Sequence, residues 1–408
     1  MRKLFTNIGP GTLVTAAFIG PGTVTMCTKA GVAFGYDLLW ALMLSIIACL
    51  VLQEMAARLG IVSQKGLSEV LRSEINNPLL RSFMIFIIIS AIFIGNAAYE
   101  AGNLSGAVLG LSAIITDPNI SIGSLKLNYI GLLIGLIAFI ILFIGQYKIL
   151  ERSLISLVIF MSLAFIITAV LTKPNILEIL QGFIPNFSSI KTWTIIGLIG
   201  TTVVPYNLFL HASLVSEKWK STDDLHAAKR DTQIAIILGG LISMAIIVAA
   251  ASVQQQAVSN AADLALSLEP LFGQAAKHVL ALGLFAAGIT SAITAPLAAA
   301  YVVKGCFGWS DGLKSIKFRL VWFSVLLVGV VFSSIGYSSI EIITFAQITN
   351  GLLLPIVAGF LLWAMNQSNL LGRFTNTKTQ NIFGFIILLI AIGLGGKSIY
   401  LAIVKMIT

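Results

Sequence analysis

Two short stretches carry the residues best suited to hold a small solute inside an apolar chain: Gly20-Pro21-Gly22-Thr23 and Val204-Pro205-Tyr206-Asn207. Each lies within a long apolar run and is built around a proline. Proline inside a helix removes an amide donor and clashes with the preceding turn, and glycine loosens the backbone, so both helices are expected to unwind there. Unwound backbone at membrane depth is tolerated only where it lines a cavity or is buried in protein. The half-helix ends, together with the Thr23 hydroxyl, the Tyr206 phenol and the Asn207 amide, then present neutral polar groups to a ligand. A pair of ordinary proline kinks is the competing interpretation. Matching positions in the two halves of the chain favour a binding site.

The surrounding composition dictates the setting. Of 408 residues, 58% are hydrophobic and 10% are charged, and the mean hydropathy is +0.99. Such a chain cannot cover itself with polar surface and belongs in a lipid bilayer. Runs long enough to cross, about 20 residues each, recur near 9–33, 37–60, 81–111, 128–147, 150–172, 193–216, 231–255, 275–304, 318–337, 341–365 and 380–404. Eleven spans are therefore expected, with short loops and no soluble enzymatic domain. The start at Met1-Arg2-Lys3 has no small-residue cleavage site, so a retained first helix is expected. Cys27, Cys49 and Cys306 lack metal-ligand spacing and are expected as core residues. His211, His226 and His278 are dispersed. With no nucleophile–base or acid pair converging on the breaks, neither an enzyme nor a cofactor is expected.

The net charge of +9 raises the question of nucleic acid. With the N-terminus placed in the cytoplasm, most Lys and Arg fall in loops on that side, among them Arg58, Lys65, Arg72, Arg81 and Lys304, which is positive-inside bias. The expectation is a multi-pass protein of a prokaryotic inner (cytoplasmic) membrane, with no nucleic acid and no soluble partner domain. Five spans precede the loop around Lys173 to Lys191 and five more follow before the last. The second group would then enter from the opposite side, giving inverted repeats over 1–172 and 173–365 and an eleventh transmembrane helix over 366–408.

The residues around the breaks resemble the NRAMP (natural resistance-associated macrophage protein) family of proton-coupled divalent-metal transporters. The similarity runs through Phe18-Ile19-Gly20-Pro21-Gly22-Thr23, Lys29-Ala30-Gly31, Gly35 to Trp40, Ala56 to Val62, Val204 to His211, and Gln347 through Pro355. It implies an all-α membrane protein of the LeuT-type fold, with helices 1 and 6 broken at the substrate and alternating access as the mechanism. The family's chief metal ligands do not carry over. Gly20 stands for its Asp, Thr23 for its Asn, Val204 for its Met and Tyr206 for its His. A dehydrated Mn²⁺ or Fe²⁺ needs an anionic oxygen and soft donors, and this site has neither. Met26 and Cys27 share the Thr23 face and would be soft donors only at a shifted position, with core packing the alternative.

The resemblance also marks coupling candidates. Glu100 matches the second of two acids on the family's third helix, while Ala97 replaces the first, and His211 matches a residue on its proton route. An ionisable group within a span is functional by default unless it is paired. Loss of the nearer acid leads to the expectation of weakened or absent proton coupling. Ala287, Thr290 and Ser291 are similar to the segment that supplies a sodium site in sodium-coupled carriers of this fold, so the coupling ion of a symport would be H⁺ or Na⁺; helix packing is the alternative. Glu54 and Arg58 are spaced for an intrahelical ion pair, and Asp231 is placed to cap a helix.

The expected substrate site is Gly20, Gly22, Thr23, Val204, Tyr206, Asn207 and Gln347. Without the Asp, the positive end of the second half-helix favours an anionic group. An amino acid or other small carboxylate is the leading substrate class. The alternatives are a divalent cation of Mg²⁺ or Mn²⁺ type held with part of its water, and a membrane receptor that no longer transports.

Overall fold

The computed structural model describes residues 19–115, 118–122, 125–145, 148–186, 191–253 and 257–407. Almost all of them are helical. The long elements are α1 (Pro21–Phe34), α2 (Leu39–Ser63), the short α3 (Leu67–Glu74), α4 (Pro78–Ser112), α5 (Tyr129–Ile144), α6 (Lys148–Leu171), α7 (Thr192–Thr202), α8 (Pro205–Lys218), α9 (Leu225–Ala251), α10 (Ala276–Phe307), α11 (Ile316–Ser334), α12 (Ser339–Ala364) and α13 (Lys378–Ile407). One antiparallel pair, Asn119–Ile122 with Leu125–Asn128, precedes α5.

Among the described residues nine helical stretches are long and apolar enough to span a membrane, with α7 and α8 counted as one interrupted span over Thr192–Lys218. The apolar α5 has 16 residues, and α1 is the second half of the expected first span. The first half, 9–18, lies outside the described residues, as do Met1-Arg2-Lys3. The helices are apolar around most of their circumference, as lipid-facing helices are. On α5, Leu132, Leu133 and Leu136 face outward while Ile134, Ala138 and Ile141 are buried.

At the centre α4 is flanked by α10, α11 and α12, while α1 packs on α9, α7 on α12 and α8 on α2. Cys27, Cys49 and Cys306 are free and buried in this core. Near the end of α2 the expected Glu54–Arg58 pair forms at 3.2 Å. The Arg58 guanidinium also donates to the Phe374 carbonyl at 2.9 Å, the Thr375 carbonyl at 3.3 Å and Asn376 Oδ1 at 2.8 Å, so it anchors the loop that leads into α13.

Asp231 is not a cap. The helix that contains it starts at Leu225, after a Thr222–Asp224 turn closed by Ser221 Oγ and the Asp224 carboxylate. The charged residues 225–231 continue the helix because a turn projecting beyond the bilayer has no need to be apolar. Apolar content therefore marks the membrane boundary and not the helix start.

Candidate functional site

α1 begins at the first break. Gly20 is its N-cap residue, with φ −101° and ψ −175°, Pro21 opens the helix, and no side chain caps it. At the second break α8 starts in the same way, and there the preceding helix is described as well: α7 ends at Thr202, Val203 and Val204 are non-helical, and Pro205 opens an uncapped α8. A residue before proline is pushed toward extended backbone, and Val204 lies at φ −78° and ψ 119°. The first amides of both helices and the last carbonyls of α7 are left without helical partners.

The two breaks meet. Thr23 Oγ1 on α1 and Thr201 Oγ1 on α7 are 2.8 Å apart and buried. Gln347 on α12 wedges in beside them. A Cβ on Gly22 would overlap the Gln347 side-chain amide, and a Cβ on Gly200 would overlap the Gln347 carbonyl oxygen. The absence of side chains at these two positions is what lets three helices touch here. Gly22, Thr23 and Gln347 of the expected set are thus brought together. Thr201 belongs with them and was not singled out, although a hydroxyl residue just ahead of a proline break is a signal that could have found it.

Val204, Tyr206 and Asn207 are all buried at the start of α8. The Tyr206 ring meets Tyr99 of α4 edge-on, with centroids 5.4 Å apart. Both polar atoms of the Asn207 side chain, Gln347 Oε1, and Asn350 Nδ2 one turn further along α12 are buried with no hydrogen-bond partner among the described residues. Buried amides are nearly always satisfied, so these side chains stand out as polar groups gathered beside the interrupted helices.

Glu100 follows Tyr99 on α4 and is fully buried. Its Cγ methylene presses on the space left by Gly329 of α11, and among the described residues no cation pairs with it. His211, deep in α8, is a cross-link: Nδ1 lies 2.7 Å from Gln53 Oε1 on α2 and Nε2 lies 3.4 Å from Thr232 Oγ1 on α9. Because an amide oxygen only accepts, Nδ1 donates.

On α10 the Thr290 hydroxyl is turned back toward the carbonyls of Ala286 and Ala287, at 2.9 and 3.0 Å, and Ser291 Oγ is buried without a partner among the described residues. Gly288 brings this segment against Asn103 and Ala107 of α4. The Met26 thioether packs on Gly197 of α7, and Cys27 is fully buried. Among the described residues no three His, Cys, Asp or Glu side chains gather in a metal-binding group.

A polar site at an interrupted helix, enclosed by apolar spans, is the build of a solute transporter, and comparison with known proteins agrees. Residues 11–401 match the family described as natural resistance-associated macrophage protein-like, and the chain belongs to that family. It is 29% identical to a divalent metal cation transporter MntH of Staphylococcus haemolyticus, covering 95% of this chain and 90% of the relative. It is 28% identical to an MntH of Yersinia pestis, covering 97% and 95%. Its fold is similar to crystal structures of a manganese transporter from Eremococcus coleocola. One mutant form has a TM-score of 0.77 at 20% identity, covering 97% of this chain and 86% of that one. A complex with an aromatic bis-isothiourea compound has a TM-score of 0.75 at 21% identity. The chain is a multi-spanning membrane transporter of the LeuT-type fold and not an enzyme.

Proposed function

We propose that this transporter carries a divalent cation that keeps part of its water shell, held where the two helix breaks meet. The observation that carries this reading is the set of buried, neutral oxygens beside the breaks, with Asn207 Oδ1 and Gln347 Oε1 unpartnered among the described residues. Thr23, Tyr206 and backbone carbonyls complete the set. Oxygen-only donors without a carboxylate suit a hard, water-retaining ion of the Mg²⁺ type better than a dehydrated transition metal. The relatives, named as divalent metal cation transporters, support the cation over the amino acid that the missing Asp first favoured. Transport would proceed by alternating access about this site, in a chain built of the 1–172 and 173–365 repeats, and would be coupled to H⁺ or Na⁺. The location would be an inner membrane, with a cytoplasmic N-terminus.

One feature favours a second reading. The uncapped, proline-led starts of α1 and α8 present positive helix ends with no carboxylate opposing them, which suits a small carboxylate. Thermal stabilisation of the purified protein by Mg²⁺, Mn²⁺, amino acids and small carboxylates, each with and without Na⁺, separates the two. Stabilisation by Mg²⁺ or Mn²⁺ is expected, and a response to carboxylates alone overturns the cation reading.

A further inference from the structure

The short helix α3 crosses the end of α10. Gly305 makes room there for the Ser68 side chain, and Gly308, in left-handed backbone at φ 62°, leaves its open face to the Arg72 guanidinium. Beside this crossing lie two adjoining cavities of about 550 Å³ each, which share Arg72 and Arg81. One is polar, walled by those two arginines with Lys304 and Trp309. The other continues along α4 past Phe86 and Ile89.

The cations in the polar half differ in how they are neutralised. Lys65 pairs with Glu74 at 3.7 Å, and the Glu69 carboxylate accepts the Gly66 amide at 3.2 Å. Arg72, Arg81 and Lys304 form no ion pair or side-chain hydrogen bond with any described residue. Glu69 is the one acid in this lining, so Arg72, Arg81 and Lys304 leave the cavity with net positive charge; that calls for a strongly accepting anion, and arginine forks match phosphate oxygens two at a time.

The apolar half decides what carries that anion. The first turns of α4 turn large apolar side chains outward, with Leu79 84%, Phe83 59% and Phe86 69% exposed, so this end of the helix lies in lipid. A free phosphate would leave the Phe86–Ile89 groove unfilled, whereas an amphiphile fills both halves. We propose that this is a binding site for one anionic phospholipid. Its phosphate sits among Arg72, Arg81 and Lys304, Trp309 lies at headgroup level, and an acyl chain runs along Phe86 and Ile89. Basic pockets between spanning helices on the cytoplasmic face recognise such headgroups, and that is the side to which the charge bias assigns these residues. The site is separate from the helix breaks and stands whatever solute is carried there.

The test uses the full chain, purified from mixed phosphatidylglycerol and phosphatidylcholine nanodiscs, with retained lipid counted by native mass spectrometry. Wild type is expected to keep phosphatidylglycerol in preference to phosphatidylcholine, and each of Arg81→Gln and Lys304→Gln to weaken that retention by about fivefold. Phe86→Asp, which spares every cation, is expected to lose it as well, and Lys314→Gln, outside the cavities, to leave it unchanged. Equal retention of the two lipids by wild type, or unchanged retention in both charge variants, overturns the proposal. Displacement of the lipid by millimolar inorganic phosphate also overturns it, because the site would then be one for a free anion.

Discussion

Thr23 and Thr201 lie 178 positions apart in the chain and share a hydrogen bond of 2.8 Å, so the segments leading from and into the two breaks are joined through a pair of neutral hydroxyls. A carboxylate in place of either would still accept the other's hydrogen bond but would bury an uncompensated charge.

Thr23→Val or Thr201→Val alone leaves one buried hydroxyl without this partner, which destabilises by about 1–3 kcal/mol. The double variant is expected to lose less than the sum of the two. Melting temperatures of all four forms in one detergent give the coupling, and strict additivity would show that the bond contributes nothing.

Gly22→Ala places a methyl group where the Gln347 amide now sits. Uptake into proteoliposomes is expected to fall at least about tenfold, since a displacement of about 1 Å at a positioned group has effects of that order. Gly22→Ala combined with Gln347→Ala relieves the clash, so melting temperature is restored while uptake stays low. Recovery of uptake in the double variant would show that Gln347 is packing only.

Gly20 has an extended backbone that any residue can adopt, so Gly20→Asp can be made without backbone strain. The new carboxylate would supply the anionic oxygen the site lacks. Mn²⁺ and Cd²⁺ binding, read by calorimetry, is expected to tighten by at least about tenfold. If affinity for these ions does not change, the substrate is bound away from the first break.

Glu100 is buried at the side of the site with no counter-ion among the described residues, and where an acid would lie one turn earlier the chain has Ala97. Substrate-driven acidification of proteoliposomes is therefore expected to be weak or missing. A clear acidification that disappears in Glu100→Gln would establish proton coupling instead.

Arg58→Met removes donors from two backbone carbonyls and from Asn376. It is expected to destabilise by about 2–3 kcal/mol and to expose the 372–376 loop first. Limited proteolysis should cut there before anywhere in α2, and an uncut loop at the wild-type rate would contradict the anchoring role.

The break at Val204-Pro205 was legible because its cause is local: proline removes a donor and biases the residue before it. Nine of the eleven expected spans stand among the described residues as helices long and apolar enough to cross, and they were legible because lipid demands long apolar runs. Gln347 could be placed at the site only through resemblance, since a glutamine in an apolar helix says nothing by itself about which glycines it will meet. Gln53 could not be paired with His211 from the sequence, because the contact joins helices 158 positions apart. The start of α9 was misjudged at Asp231 because a helix that leaves the membrane loses its apolar signature before it loses its hydrogen bonds. The cations of the phospholipid site were read only as loop charge bias; their convergence depends on α3 folding back across α10.

Gln347 touches the two breaks with different parts of itself, its side-chain amide at Gly22 and its backbone carbonyl at Gly200. The carbonyl belongs to the rigid spine of α12, while the amide swings on rotatable bonds. Any relative travel between α1 and α7 would load the amide before the carbonyl, which makes Gln347 the position to label when looking for it by spectroscopy.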